Sequence, residues 1–143
     1  MIYHSDAINI CIEIDAMPPS VNCLYHNGAC RQMYLTKQHR LFRKVVADAV
    51  GQERCPWQFV EVDITLTPPD KRRRDIDNYT KGLFDALTHA GFWQDDDIVK
   101  ILHIRWAERP GDAHTKMMIR QWRNTADEKE KATTSQTTKR KRS

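Results

Sequence analysis

Long apolar runs are missing from these 143 residues. No stretch approaches the roughly 20 apolar residues that a membrane-spanning helix requires. Residues 1–14 mix charges with apolar side chains instead of forming the continuous apolar stretch of a secretory signal. A soluble protein is expected. Paired cysteines are missing too, because Cys11, Cys23, Cys30 and Cys55 contain no Cys-x-x-Cys; reduced thiols in a cytoplasmic protein are the simplest reading. Nor is there a repeat at solenoid spacing, or room for two cores in 16.8 kDa. A strong overall charge is also absent. The formal net charge is +4, and residues 124–143 hold six Lys/Arg against three Asp/Glu, which leaves only +1 for the rest. Average charge therefore says little about nucleic acid, and the placement of charge decides.

A 40% hydrophobic share with four Trp, four Tyr and four Phe is enough for one packed interior. Ile8, Ile10, Ile12 and Ile14 alternate with Asn9, Cys11 and Glu13, which predicts the first strand. Pro18-Pro19-Ser20 ends it, a polar loop with His26, Asn27 and Gly28 follows, and a short strand is expected near Arg31 to Leu35. Cys23, His26 and Cys30 have spacings that could begin a zinc site, but without a fourth ligand the polar loop is the better reading.

Thr36 is placed to cap a helix from Lys37. Its apolar face reads Leu41, Phe42, Val45, Val46, Ala49 and Val50, and its basic face Lys37, Arg40, Arg43 and Lys44, with Gly51 as punctuation. Val60, Val62, Ile64 and Leu66 alternate with Glu61, Asp63 and Thr65 as a second strand that Pro68-Pro69 stops. A second helix, capped by Asp77 or Asn78, carries Tyr79, Leu83, Ala86, Leu87 and Ala90 and stops at Gly91. Residues 98–106 alternate again, and Gly111 turns the chain into a last strand over 115–122, for which an antiparallel hairpin is the expected closure. These elements predict an α/β or α+β fold, a small mixed sheet with helices packed mainly on one face, over residues 1–123. Residues 124–143 are polar and basic with hardly an apolar side chain, and are read as a disordered tail.

The chemistry concentrates between Pro69 and Val99, PDKRRRDIDNYTKGLFDALTHAGFWQDDDIV. If the chain is extended where it enters the helix, Asp75 and Asp77 leave the backbone on one side, roughly 7 Å apart at Cα, and can share a metal. Lys81 lies one turn beyond Asp77, and Asp95, Asp96 and Asp97 bring further carboxylates just before a strand. Crowded carboxylates are unfavourable until a hard divalent cation joins them through oxygen, as magnesium does with a few carboxylates, waters and substrate phosphate. Phosphoryl transfer to water is the implied reaction, with Lys81 stabilising transition-state charge or orienting the water. Lys71, Arg72, Arg73 and Arg74 stand directly upstream, where they can hold DNA phosphates. The blander readings are helix capping for the aspartates and a solvated hinge for the basic run. Asp85 is read as a plain helix salt pair with Lys81, and Phe92 and Trp93 as anchors packing the helix end.

The string RRRDIDN, then Lys81, FDAL, AGFW and an Asp pair resembles the RusA-type Holliday-junction resolvases, and Pro18-Pro19-Ser20-Val21-Asn22 resembles that family's loop after its first strand. The similarity runs from about Ile8 to Trp122. It implies a homodimer that binds a four-way DNA junction and nicks two symmetry-related strands with magnesium, for which manganese can substitute. It also implies that Asp75, Asp77, Lys81 and Asp96 are catalytic, the three aspartates holding metal, with Asp95 or Asp97 as alternatives to Asp96. A junction-binding protein that does not cleave, and a nuclease of flaps or RNA, are the rival functions.

Overall fold

A largely β-branched alternation at the centre of the chain builds an inner strand of the sheet. In the computed structural model, which describes residues 1–6, 9–21, 25–27 and 33–123, nine regular elements follow one another. They are β1 (Ile2–Asp6), β2 (Asn9–Ile14), β3 (Tyr25–Asn27), β4 (Met33–Leu35), α1 (Lys37–Val50), β5 (Val60–Thr67), α2 (Thr80–His89), β6 (Val99–Trp106) and β7 (His114–Gln121). Single 3-10 turns at Ile76–Tyr79 and Asp96–Ile98 flank α2. Five strands form one mixed sheet in the order β1-β2-β7-β5-β6, and β3 and β4 form a separate antiparallel pair. The expected small mixed sheet with helices is thus observed.

The core lies between one face of this sheet and the helices. Ile10, Ile12 and Ile14 of β2, Val60, Val62, Ile64 and Leu66 of β5, and Met117 and Ile119 of β7 meet Phe42, Val46 and Val50 of α1 and Leu83, Ala86 and Leu87 of α2. Alternation in β5 is as expected, every second residue being buried. Thr36 caps α1, its side chain accepting from the His39 N–H at 3.3 Å, and Gly51 ends the helix at positive φ. Gly91, at φ 79°, follows α2. Phe92 and Trp93 are buried anchors, and Trp93 packs edge-on to Phe84.

Four expectations are corrected. An edge strand, β1, precedes the predicted first strand and pairs with it, Ile2 opposite Ile12; its polar His4, Ser5 and Asp6 hide it from any search for alternation. Tyr25–Asn27 is strand, not loop, and the expected strand near Leu35 is its partner; Cys23, Gly28 and Cys30 lie outside the described residues, as do Ile8 and residues 124–143. The closing hairpin does not form. β6 pairs parallel to β5, and β7 inserts antiparallel between β2 and β5. The reason is burial: β7 offers Thr115, Met117 and Ile119, all fully buried, whereas β6 leaves Ile101 and Leu102 at 39% exposure and suits the edge. Finally, Leu41 and Val45 of α1 are 54% and 39% exposed, because the helix buries a narrower stripe than its composition offers. Among the described residues no helix is long and apolar enough to cross a membrane.

Candidate active site

Parallel pairing of β5 with β6 dictates where the candidate residues stand. Parallel neighbours require a crossover, and here it is the segment 68–98, which leaves the C-terminal end of β5, returns along α2 and enters the N-terminal end of β6. Asp75 and Asp77 therefore sit at one end of the strand pair and Asp96 at the other. Tyr79, at the end of the first 3-10 turn, stacks edge-on against Trp106, the last residue of β6, with ring centres 5.6 Å apart. The second 3-10 turn, Asp96–Ile98, directly precedes Val99, the first residue of that strand. Seven residue steps of strand separate the two places by roughly 20 Å. Within one chain the three aspartates do not converge, and among the described residues no three His, Cys, Asp or Glu side chains form a group able to hold a metal ion.

The first half-site is Asp75 with Asp77. A fully extended entry holds for Asp75 alone (φ −87°, ψ 117°); Asp77 is already inside the 3-10 turn. Capping by Asp77 or Asn78 does not occur. α2 starts at Thr80 behind Tyr79, with no side-chain cap, and Asp75 makes no side-chain cap bond to the turn it precedes. Both carboxylates are exposed. The capping explanation of Asp75 is thereby removed, and its oxygens remain open to a cation.

The basic run borders this half-site. An open cavity of about 680 Å³ is lined by Asp70, the side chains of the run and Asp75, and walled by Trp106, Ala107 and Pro110. The four cations are not equivalent. Arg74 is only 15% exposed and turned inward: it pairs with Asp70 at 2.8 Å and donates to the carbonyls of Asp70 and Arg72. A hydrogen bond from the Arg72 backbone N–H, then one from Arg74, hold the Asp70 carboxyl below its usual range. Arg74 thus shapes the loop, and Lys71, Arg72 and Arg73 are its exposed cations. Replacing Arg73 by Ala is expected to leave the melting temperature unchanged and to reduce the salt slope of DNA binding by about 0.9 for each phosphate that Arg73 neutralises. Arg74→Ala should instead lower the melting temperature, which thermal denaturation beside a salt titration distinguishes.

The second half-site gathers around Asp96. Burial first, then a hydrogen bond with Asp95 and its charge, then the charge of Asp85, push the Asp96 carboxyl above its ordinary range. Asp85 is therefore more than a salt-pair partner. It does meet Lys81 across one helical turn, Nζ to Oδ2 at 3.5 Å, and it also belongs to the field around Asp96. Lys81 finds its carboxylate at Asp85, and no ion pair joins it to Asp75 or Asp77. Sequence spacing alone points Lys81 back toward Asp77; the i,i+4 partner ahead of it captures it instead.

Donor chemistry suits a hard cation, since both halves offer carboxylate oxygen and no sulfur. Magnesium is commonly held by one or two carboxylates together with water and phosphate oxygens, which either half could supply in part.

Residues 15–120 match the family model described as endodeoxyribonuclease RusA. The chain belongs to the RusA endodeoxyribonuclease family. Among its relatives, the crossover junction endodeoxyribonuclease RusA of enterobacteria phage HK97 is 35% identical over 98 residues, 66% of this chain and 81% of that protein. The enzyme of the same name from Escherichia coli strain K12 is 40% identical over 82 residues, 55% of this chain and 68% of that protein. That of enterobacteria phage 82 is 38% identical over 82 residues, with the same shares. The RusA match contains both half-sites, the basic loop and all of α2, so the resemblance drawn from RRRDIDN, Lys81 and AGFW is borne out at the level of family.

Two residues of α1 that face α2 have no counterpart in the sequence motif. His39 is fully buried in α1, and Arg43 one turn later donates to it, Nε to Nε2 at 3.1 Å. Arg43 reads in the sequence as one of four solvated cations; only tertiary packing separates it from the others.

Proposed function

We propose that this chain is a magnesium-dependent endonuclease that resolves four-way DNA junctions as a homodimer. The observation that carries the reading is the division of the acidic residues. Asp75 and Asp77 lie at one end of the β5–β6 pair, and Asp95 and Asp96 at the other. The basic loop borders the first of them. A two-fold partner placed antiparallel along these elements would set the Asp75–Asp77 half of one subunit against the Asp96 half of the other, making two equivalent sites from two incomplete chains. Two sites related by a two-fold axis match two symmetric nicks in a junction of paired arms. The relatives' printed name, crossover junction endodeoxyribonuclease, supports the same substrate.

The chemistry a bound magnesium supplies is a lowered pKa for the attacking water and charge stabilisation at the leaving oxygen. The chain's own part is positional. Asp75, Asp77 and Asp96 would supply the oxygens, Lys71, Arg72 and Arg73 would hold flanking phosphates, and Lys81 would face the charge that grows on the non-bridging oxygens. The free thiols of Cys11 and Cys55 suit a reducing cytoplasm, where such DNA resides.

A synthetic four-way junction separates this reading from its rivals. Magnesium should produce paired, symmetric nicks, and a chelator should abolish them without abolishing binding. Lys81→Ala should retain binding and lose about 10²-fold or more in nicking rate. Binding without nicking in any divalent metal would make the chain a junction-binding protein, and faster cutting of a flap or of RNA would change its substrate.

A further inference from the structure

α1 carries a cation that the basic loop does not account for. His39 is fully buried among the residues that pack α1 against α2, and burial first, then the charge of Arg43, hold its imidazole below the ordinary value. The charges that face it come from both helices: Arg43 on its own, and Asp85, His89 and Lys81 on α2. A neutral imidazole whose Nε2 accepts from Arg43 carries its proton on Nδ1. That nitrogen is buried without a partner among the described residues. An unpartnered buried donor makes histidine a poorer core residue here than an apolar side chain of equal volume. What histidine alone adds is the acceptor that fixes Arg43.

Fixing Nε leaves both terminal nitrogens of the guanidinium available, and Arg43 forms no salt bridge among the described residues. Arg43 lines an open groove of about 420 Å³ between the helices, with Lys81, Asp85, Thr88 and His89 on the other wall. Thr88 is already committed, its hydroxyl donating to the Phe84 carbonyl at 3.0 Å and accepting from the Trp93 indole at 2.9 Å. Asp85 is paired with Lys81. Arg43 is therefore the uncommitted charge, held by a buried acceptor and lining the groove across from Asp85. A guanidinium fixed through Nε presents its remaining edge as a two-pronged donor that matches phosphate oxygens.

We propose that the groove between α1 and α2 is a second phosphodiester-binding subsite, in which Arg43, positioned by His39, holds a DNA phosphate alongside α2. The proposal rests on the junction-nuclease reading and extends it. The basic loop serves the Asp75 half, and this groove along α2 adds a second grip, so that the strand is held at more than one phosphate.

The test is junction binding without divalent metal, followed across salt concentrations, with Arg73→Ala as the control for the basic loop. Arg43→Gln should weaken binding by about 5–10-fold at 0.1 M salt and reduce the slope of log K against log salt by about 0.9 per subunit. His39→Phe should keep or raise the melting temperature yet shift affinity and slope the same way by a smaller amount. His39→Gln, which offers Arg43 an acceptor again, should restore both. Wild-type affinity and slope in Arg43→Gln, with Arg73→Ala weakened, would overturn the subsite and leave the nuclease reading standing. Failure of the wild-type protein to bind the junction would instead remove the reading beneath it. A His39→Phe protein that binds as tightly as wild type would dismiss the positioning role.

Discussion

Mixing Asp75→Asn protein with Asp96→Asn protein should restore junction nicking that neither shows alone. Each variant by itself is expected to lose more than about 100-fold in rate, since loss of partners even one shell removed from a metal costs about 10–100-fold. If sites are completed across a two-fold axis, a mixed dimer carries both substitutions in one site and neither in the other. Random pairing makes half of the dimers mixed, so about one quarter of all sites become intact. Nicking of the first strand should recover to about that share of the wild-type rate, whereas a site built within one chain would stay inactive in every combination. The experiment discriminates sharply because the two half-sites stand at opposite ends of the parallel β5–β6 pair, and among the described residues of one chain no three His, Cys, Asp or Glu side chains gather to hold a metal. Recovery of paired nicking should lag far behind that of single nicking, because each mixed dimer has one working site.

The Asp96→Asn protein should be more stable than wild type while being less active. The sign follows from the direction of the shift. The Asp96 carboxyl is raised in the folded state by burial, by Asp95 and by Asp85, so at neutral pH its ionised form weakens the fold, and the favourable contribution exists only at acid pH. Removing the charge should raise the melting temperature at pH 7 in a chelating buffer. That gain should disappear as pH falls below the ordinary aspartate value of about 3.9, where the wild-type carboxyl is protonated in both states. Magnesium should narrow the gap at pH 7 by binding the folded wild type. Equal melting temperatures at pH 7 without metal would show that Asp96 is not under electrostatic strain.

Patterns that repeat over a few residues are legible in the sequence. Alternation at Val60 to Leu66 identifies a strand buried on one face, and Thr36 with Gly51 brackets α1 at both ends, because strand pleat and helix caps are local properties of the backbone. The same locality explains β1: an edge strand paired on one side needs no alternating pattern, so IYHSD carries none. The hairpin expectation fails for β6 and β7 because strand order is decided by which strand has the larger surface to bury, and Thr115, Met117 and Ile119 belong in the middle.

The acidic residues divide in the same way. The expectation that Asp75, Asp77 and Asp96 bear the chemistry, accompanied by Lys81 and the basic run, comes from residue type, spacing and family resemblance. Their separation in space does not. Closeness in sequence invites a single cluster between Pro69 and Val99, yet a parallel crossover has to carry the chain from one end of a strand to the other, and α2 spends that distance between the two groups of carboxylates. Likewise Arg74 and Arg43 are ordinary cations in the sequence. Asp70 turns the first inward and His39 holds the second in the groove, and both partners act through packing that forms only when the chain has folded. The sequence by itself determined the inventory of acids and cations and the family they mark. Tertiary structure alone decided which of them are neighbours, because pairing in space depends on sheet order and helix direction rather than on separation along the chain.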